Sequence, residues 1–129
     1  MENKSNVHFN EQLRERTMTM AVGVHGTMQS KKIVSIDRPM VNQLIRSSSS
    51  VAANCRSATR ARSDAEFYSK ICIVVEECEE IQFWLEMLYE GNFLQKDKFI
   101  MMHNESTELL KVMASFKKTL STHLNTKNS

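Results

Sequence analysis

Seven apolar residues, Phe67, Ile71, Val74, Cys78, Ile81, Leu85 and Leu88, follow one another in alternating steps of four and three. That spacing holds them on one stripe of an α-helix for three heptads, whereas a strand would throw them onto alternate faces. Ile73, Val75, Trp84 and Met87 lie off the stripe, so the helix is apolar on more than one face and needs cover from more than one neighbour. Ser63-Asp64-Ala65-Glu66 reads as its capping box, with Ser63 as the cap and Glu66 reaching back, and Gly91-Asn92 as its stop. The pattern therefore predicts a helix over 64–90.

What surrounds this helix follows from the rest of the chain. Only three Gly and one Pro occur in 129 residues, too few for a set of strands joined by tight turns. Phe9, Leu13, Met20, Val24 and Met28 keep helical spacing, with Arg16 or Thr17 filling the gap, and predict a helix over 10–28 behind a polar, frayed start at residues 1–7. Asp37-Arg38-Pro39 is a start signal, with Asp37 as cap and Pro39 in the first turn. Val41, Leu44, Ile45, Ser48, Val51, Ala52, Cys55 and Thr59 then form a seam over 38–60. The serine run 47–50 sits inside that seam, so it reads as a small-residue stretch admitting a close neighbour, not as a linker. Phe99, Met102, Ser106, Leu109, Met113, Phe116, Leu120 and Leu124 predict a last helix over 97–124, followed by a polar tail. Four helices with mostly short connections are expected to form a single all-α domain, an antiparallel up-down-up-down four-helix bundle.

Charge is sorted along the chain. Residues 31–62 carry seven bases, Lys31, Lys32, Arg38, Arg46, Arg56, Arg60 and Arg62, against Asp37; residues 63–95 carry Lys70 against eight acids. Arg56 and Arg60 share a helix face at a spacing of four. Arg46 falls about 80° away at 100° per residue and widens the patch. These arginines either pair with the acidic third helix, within or between chains, or bind phosphate. Aromatic residues do not interleave with them in the sequence, so base stacking is not indicated.

Other chemistries find little support. The acidic cluster Glu76, Glu77, Glu79 and Glu80 has no Glu-x-x-His partner and mostly avoids the seam, so it reads as a surface and not a di-metal site. His8, His25, His103 and His123 show neither zinc spacing nor H-E-x-x-H, and no phosphate-loop or nucleophile-elbow motif is present. Nine methionines read as core filler. Cys55, Cys72 and Cys78 are expected to be small thiols in a reducing compartment. No signal peptide and no apolar run long enough to span a membrane is apparent, which points to the cytoplasm.

The stretch from Leu44 to Leu88 resembles a known family. Leu44-Ile45-Arg46-Ser47, Ser50-Val51-Ala52-Ala53-Asn54-Cys55-Arg56, Ala61-Arg62-Ser63, Glu66-Phe67, Lys70-Ile71, Glu76 and Trp84-Leu85-Glu86 are similar, in order and spacing, to the bacterial four-helix bundle proteins encoded by intervening sequences in large-subunit ribosomal RNA genes. The resemblance implies a ring-like homopentamer. A related branch serves reverse transcriptases of diversity-generating retroelements as accessory proteins and binds nucleic acid through a basic pentamer surface. Arg56, Arg60 and Arg62 match the family's basic stretch. The expectation is thus a non-enzymatic homo-oligomer without metal, cofactor or membrane contact, binding RNA or DNA through Arg46, Arg56, Arg60 and Arg62, with a reverse transcriptase as a further implied partner. The alternative is a protein scaffold whose charged helices serve only assembly; an enzyme using the scattered His and Cys residues comes third.

Overall fold

The computed structural model describes residues 9–128 of the chain, with side chains for 11–126. The expected fraying of residues 1–7 and the Phe9 side chain lie outside the described residues. One π-helical turn, Phe9–Leu13, leads into α1 (Arg14–Gln29). Three further helices follow: α2 (Arg38–Ala58), α3 (Asp64–Glu90) and α4 (Lys96–Asn128). Consecutive helices pack against each other, while α1 and α4 touch only lightly. The result is an antiparallel four-helix bundle whose first and last helices are only loosely closed.

Helix α3 forms the spine. All seven seam residues are buried, and Val75 joins them from the flank. Its N-terminus is capped as the sequence suggests: Ser63 Oγ accepts from the Glu66 backbone N–H at 3.1 Å. The Glu66 carboxylate, however, is turned toward Arg62, 3.8 Å from its Nε. The helix ends in a Schellman turn. Asn92, at φ 63°, donates to Tyr89 O at 3.0 Å, and Phe93 N–H donates to Leu88 O at 2.8 Å. The left-handed residue is therefore Asn92, not Gly91; Asn tolerates that region better than other non-glycine residues.

Helix α2 departs from its expected seam. Val41, Leu44, Ser48, Val51, Cys55 and Ala58 are buried on one stripe, flanked by Ser47 and Ala52, while Ile45 and Thr59 are only half-buried. The helix packs between α1 and α3, so its buried face is wider than a single stripe. The serine-rich centre is indeed helical, with Ser47 and Ser48 buried and Ser49 exposed, and Ser48 Oγ donates back to Ile45 O at 3.1 Å, satisfying its hydroxyl. Asp37 precedes the helix in an αR conformation without a side-chain capping bond, in contrast to its expected role. The helix stops at Ala58 instead of 60, where Thr59 N–H and Arg60 N–H bond to carbonyls three residues back and tighten the last turn.

Helix α1 buries Thr17, Met20, Val24 and Met28, and Leu13 of the turn before it continues the stripe. Thr17 fills the gap in the stripe, its hydroxyl donating to Arg14 O at 3.2 Å. Arg16 turns instead to α4, where it bridges Glu105 at 2.6 Å. On α4, Met102, Ser106, Leu109 and Met113 are buried, but Phe116, Leu120 and Leu124 are only half-buried. With 33 residues against 16 in α1, α4 outruns its neighbours. It reaches Asn128 rather than 124 because no Gly or Pro follows Gly91 to end it. Antiparallel register with α3 is fixed by His103 beside Glu86, Thr107 bonded to Gln82, and His123 beside Asp64.

Candidate nucleic-acid interface

Two of the chain's acid-free stretches are strongly basic: 38–63, with five arginines, and 109–129, with four lysines. The fold brings their C-terminal ends to one end of the molecule. Helix α2 runs down to the turn at 59–63, α3 starts from that turn, and the last turns of α4 lie alongside the start of α3, with His123 Nε2 3.4 Å from Asp64 Oδ2. Arg56 and Arg60 are exposed there, and among the described residues neither has a carboxylate within ion-pairing distance. The Arg62 side chain is 91% exposed and only loosely paired with Glu66. Arg56 also lies in the last turn of α2, where a cation complements the helix dipole.

Arg46 is separate from this group. Its guanidinium donates to Glu80 at 2.8 Å and Glu77 at 3.3 Å on α3, and to the Gln43 side chain on its own helix at 3.1 Å. The basic helix and the acidic helix thus meet within one chain at this point. Burial pushes the Glu77 carboxyl above the ordinary carboxylate range; Arg46 opposes the rise and Glu80 adds to it. The four arginines singled out by sequence therefore divide into one that is tied to α3 and three at the bundle end.

Sequence reasoning missed the other half of that end. An open groove of about 290 Å³ between α3 and α4 is lined by Tyr68, Ala114, Lys117, Lys118, Ser121 and Thr122. Among the described residues no carboxylate pairs with either lysine, and the Tyr68 hydroxyl has no hydrogen-bond partner. An aromatic ring does stand among cations, though none interleaves with them in the sequence. Only the α3–α4 register, which sets Tyr68 opposite residues about fifty positions away, could reveal it.

Among the described residues the imidazoles do not meet the thiols. Cys55 and Cys78 are fully buried, and Cys72 is half-buried. Burial, aided by the neighbouring Cys55, Glu77 and Glu79, pushes the Cys78 thiol up to about 12. Burial also raises Cys55, against a Thr17 hydrogen bond and the nearby Arg14 charge. His103 and His123 meet carboxylates, not thiols. Among the described residues no group of three or more His, Cys, Asp or Glu is placed to hold a metal ion, and no helix is long and apolar enough to cross a membrane.

Comparison with known proteins agrees with this architecture. The family model described as 23S rRNA-intervening sequence protein matches residues 11–115. A solved structure of a protein of unknown function from the S23 ribosomal protein family of Bacteroides thetaiotaomicron VPI-5482 is similar with a TM-score of 0.73 and 28% sequence identity, over 81% of this chain and 97% of that one. Among curated proteins, no match was found.

Proposed function

Given that the chain belongs to the 23S rRNA-intervening sequence protein family, we propose that it is a non-enzymatic, homo-oligomeric four-helix bundle that binds nucleic acid through the basic end of the bundle. Arg56, Arg60 and Arg62 supply the phosphate contacts; Arg46, held by Glu77 and Glu80, borders them or serves the fold alone. The observation that carries the reading is the meeting of the C-terminal ends of two acid-free segments at one end of the bundle, with Arg56 and Arg60 unpaired among the described residues. Unpaired surface cations gain by releasing condensed counterions from a polyanion.

Self-association is supported by apolar side chains that the single chain leaves uncovered. Phe83 and Met87, one turn apart on α3, are 53% and 42% exposed, and Phe83 stands edge-on to Trp84 at 4.8 Å. A second reading, a scaffold without nucleic acid, is favoured by the Arg46 pairing, which shows how charges on α2 can be spent on the acidic helix.

Fluorescence anisotropy of labelled RNA and DNA across a range of salt separates the two. Binding that weakens linearly in log salt, and that Arg56→Glu with Arg60→Glu abolishes while the oligomer persists, supports the first reading. No binding at low salt, or a double variant that falls to monomers, supports the second.

A further inference from the structure

We infer that the groove between the start of α3 and the last turns of α4 seats a single strand of nucleic acid, its phosphates on Lys117 and Lys118 and a base on the Tyr68 ring. The inference rests on the nucleic-acid reading above and narrows it to one strand and one groove.

Three observations carry it. First, the groove lining combines two ammonium groups that lack carboxylate partners among the described residues with hydroxyls of Tyr68 and Ser121 that lack hydrogen-bond partners there. Thr122 differs, its hydroxyl donating to Lys118 O at 3.1 Å. Cations and neutral donors around one concavity suit a phosphate better than a carboxylate-poor protein face or an apolar ligand. Second, Tyr68 is half-buried and belongs to no ring pair or ring–cation contact recorded among the described residues, so a ring is present for stacking. Bases inside a duplex already have both faces covered, and a tyrosine can stack only on an unpaired base. Third, beyond Asp64 and Glu66 in its first turn, which meet His123 and Arg62, the next carboxylate of α3 is Glu76, which opens an acidic run about 12 Å along the helix from Tyr68 at 1.5 Å per residue. A stiff duplex lying along the groove would run over those carboxylates, whereas a flexible strand can turn toward Arg60 and Arg62 at the same end of the bundle.

The test uses the full chain and labelled strands of about twelve nucleotides, single and duplex, within the range that small stacking platforms cover. The single strand is expected to bind more tightly than the duplex. Tyr68→Ala should weaken it by about tenfold or more, while Tyr68→Phe, which keeps the ring, stays within about twofold. Lys117→Ala with Lys118→Ala should lower the slope of log affinity against log salt by about 1.4, as for two lost single-strand phosphate contacts. A thiouracil-labelled strand should crosslink to the peptide that contains Tyr68. If Tyr68→Ala proves unfolded by circular dichroism, the lysine variants and the crosslink decide.

Groove variants that bind like the parent, while Arg56→Glu with Arg60→Glu does not bind, would overturn the groove and leave the broader reading standing. A parent chain that binds no strand at low salt removes both. Groove variants that change the oligomer but not the affinity would make the groove a seat for the acidic face of a second copy, which also overturns the inference.

Discussion

Arg46 on α2 donates through Nη2 to the Glu80 carboxylate on α3 at 2.8 Å, and this pair ties a helix without acids to the most acidic one. Both side chains remain almost half exposed, at 49% and 43%. An ion pair so exposed is worth about 0.2–1 kcal/mol, because solvent and salt screen it. Arg46→Ala should therefore lower the unfolding free energy in urea by less than about 1 kcal/mol, and less still in high salt. A loss above about 2 kcal/mol would mean that Arg46 also organises packing.

Glu77, beside the same guanidinium, is buried enough that its carboxyl titrates above the ordinary range. The folded chain then holds this proton more tightly than the unfolded chain. As pH rises from the ordinary carboxylate value to the raised one, the unfolded chain has lost the proton and the folded chain still keeps it, so stability falls through that window. Glu77→Gln should flatten this part of the stability profile and compare better with the parent at neutral pH than in acid. Arg46→Ala should move the Glu77 titration upward, which carboxyl NMR would register; a downward shift would contradict the assigned pairing.

Leu85 is fully buried in the α3 seam. Truncating a leucine of this kind removes its transfer free energy and leaves a cavity, so Leu85→Ala should destabilise the bundle by roughly 2–5 kcal/mol in denaturant titration. A change below about 0.5 kcal/mol would remove Leu85 from the core.

The two candidate helix caps should behave differently. Ser63 accepts a hydrogen bond from Glu66 N–H and Asp37 makes no capping bond. Ser63→Ala should cost about 1 kcal/mol, while Asp37→Ala should stay within about 0.5 kcal/mol. Equal losses at both sites would assign Asp37 a capping role.

Thiol chemistry should single out Cys72. It is half-buried, while Cys55 and Cys78 have no exposed surface and raised thiol pKa values, Cys78 up to about 12. Because the thiolate is the reactive form, a disulfide reagent in mildly alkaline buffer should modify one thiol per folded chain quickly and the other two only on unfolding. Peptide mapping that finds Cys78 labelled first would contradict the α2–α3 packing.

The sequence by itself determined what is periodic and local. The alternating four-and-three seam from Phe67 to Leu88, the Ser63 cap and the Gly91-Asn92 stop are visible because a helix repeats every 3.6 residues and its ends need particular side chains. The same pattern located the buried Ser48 of α2, although not that Ser47 and Ala58 would displace Ile45 and Thr59 from its buried face. That choice depends on where α1 and α3 lie around α2. Asp37 carried a local cap signal that the chain does not use, since its own backbone is already helical there.

Tertiary structure alone decided the rest. Whether Arg46 faces solvent or a carboxylate depends on the register of two helices joined by a five-residue turn. Whether Tyr68 stands among lysines depends on α4 returning antiparallel along α3, which no periodicity within either helix records. Sequence fixes which face of each helix must be covered, because burying apolar surface dominates folding energetics. The solvent-facing residues are not constrained in that way, and only the assembled bundle shows which charges cancel and which remain to meet a ligand.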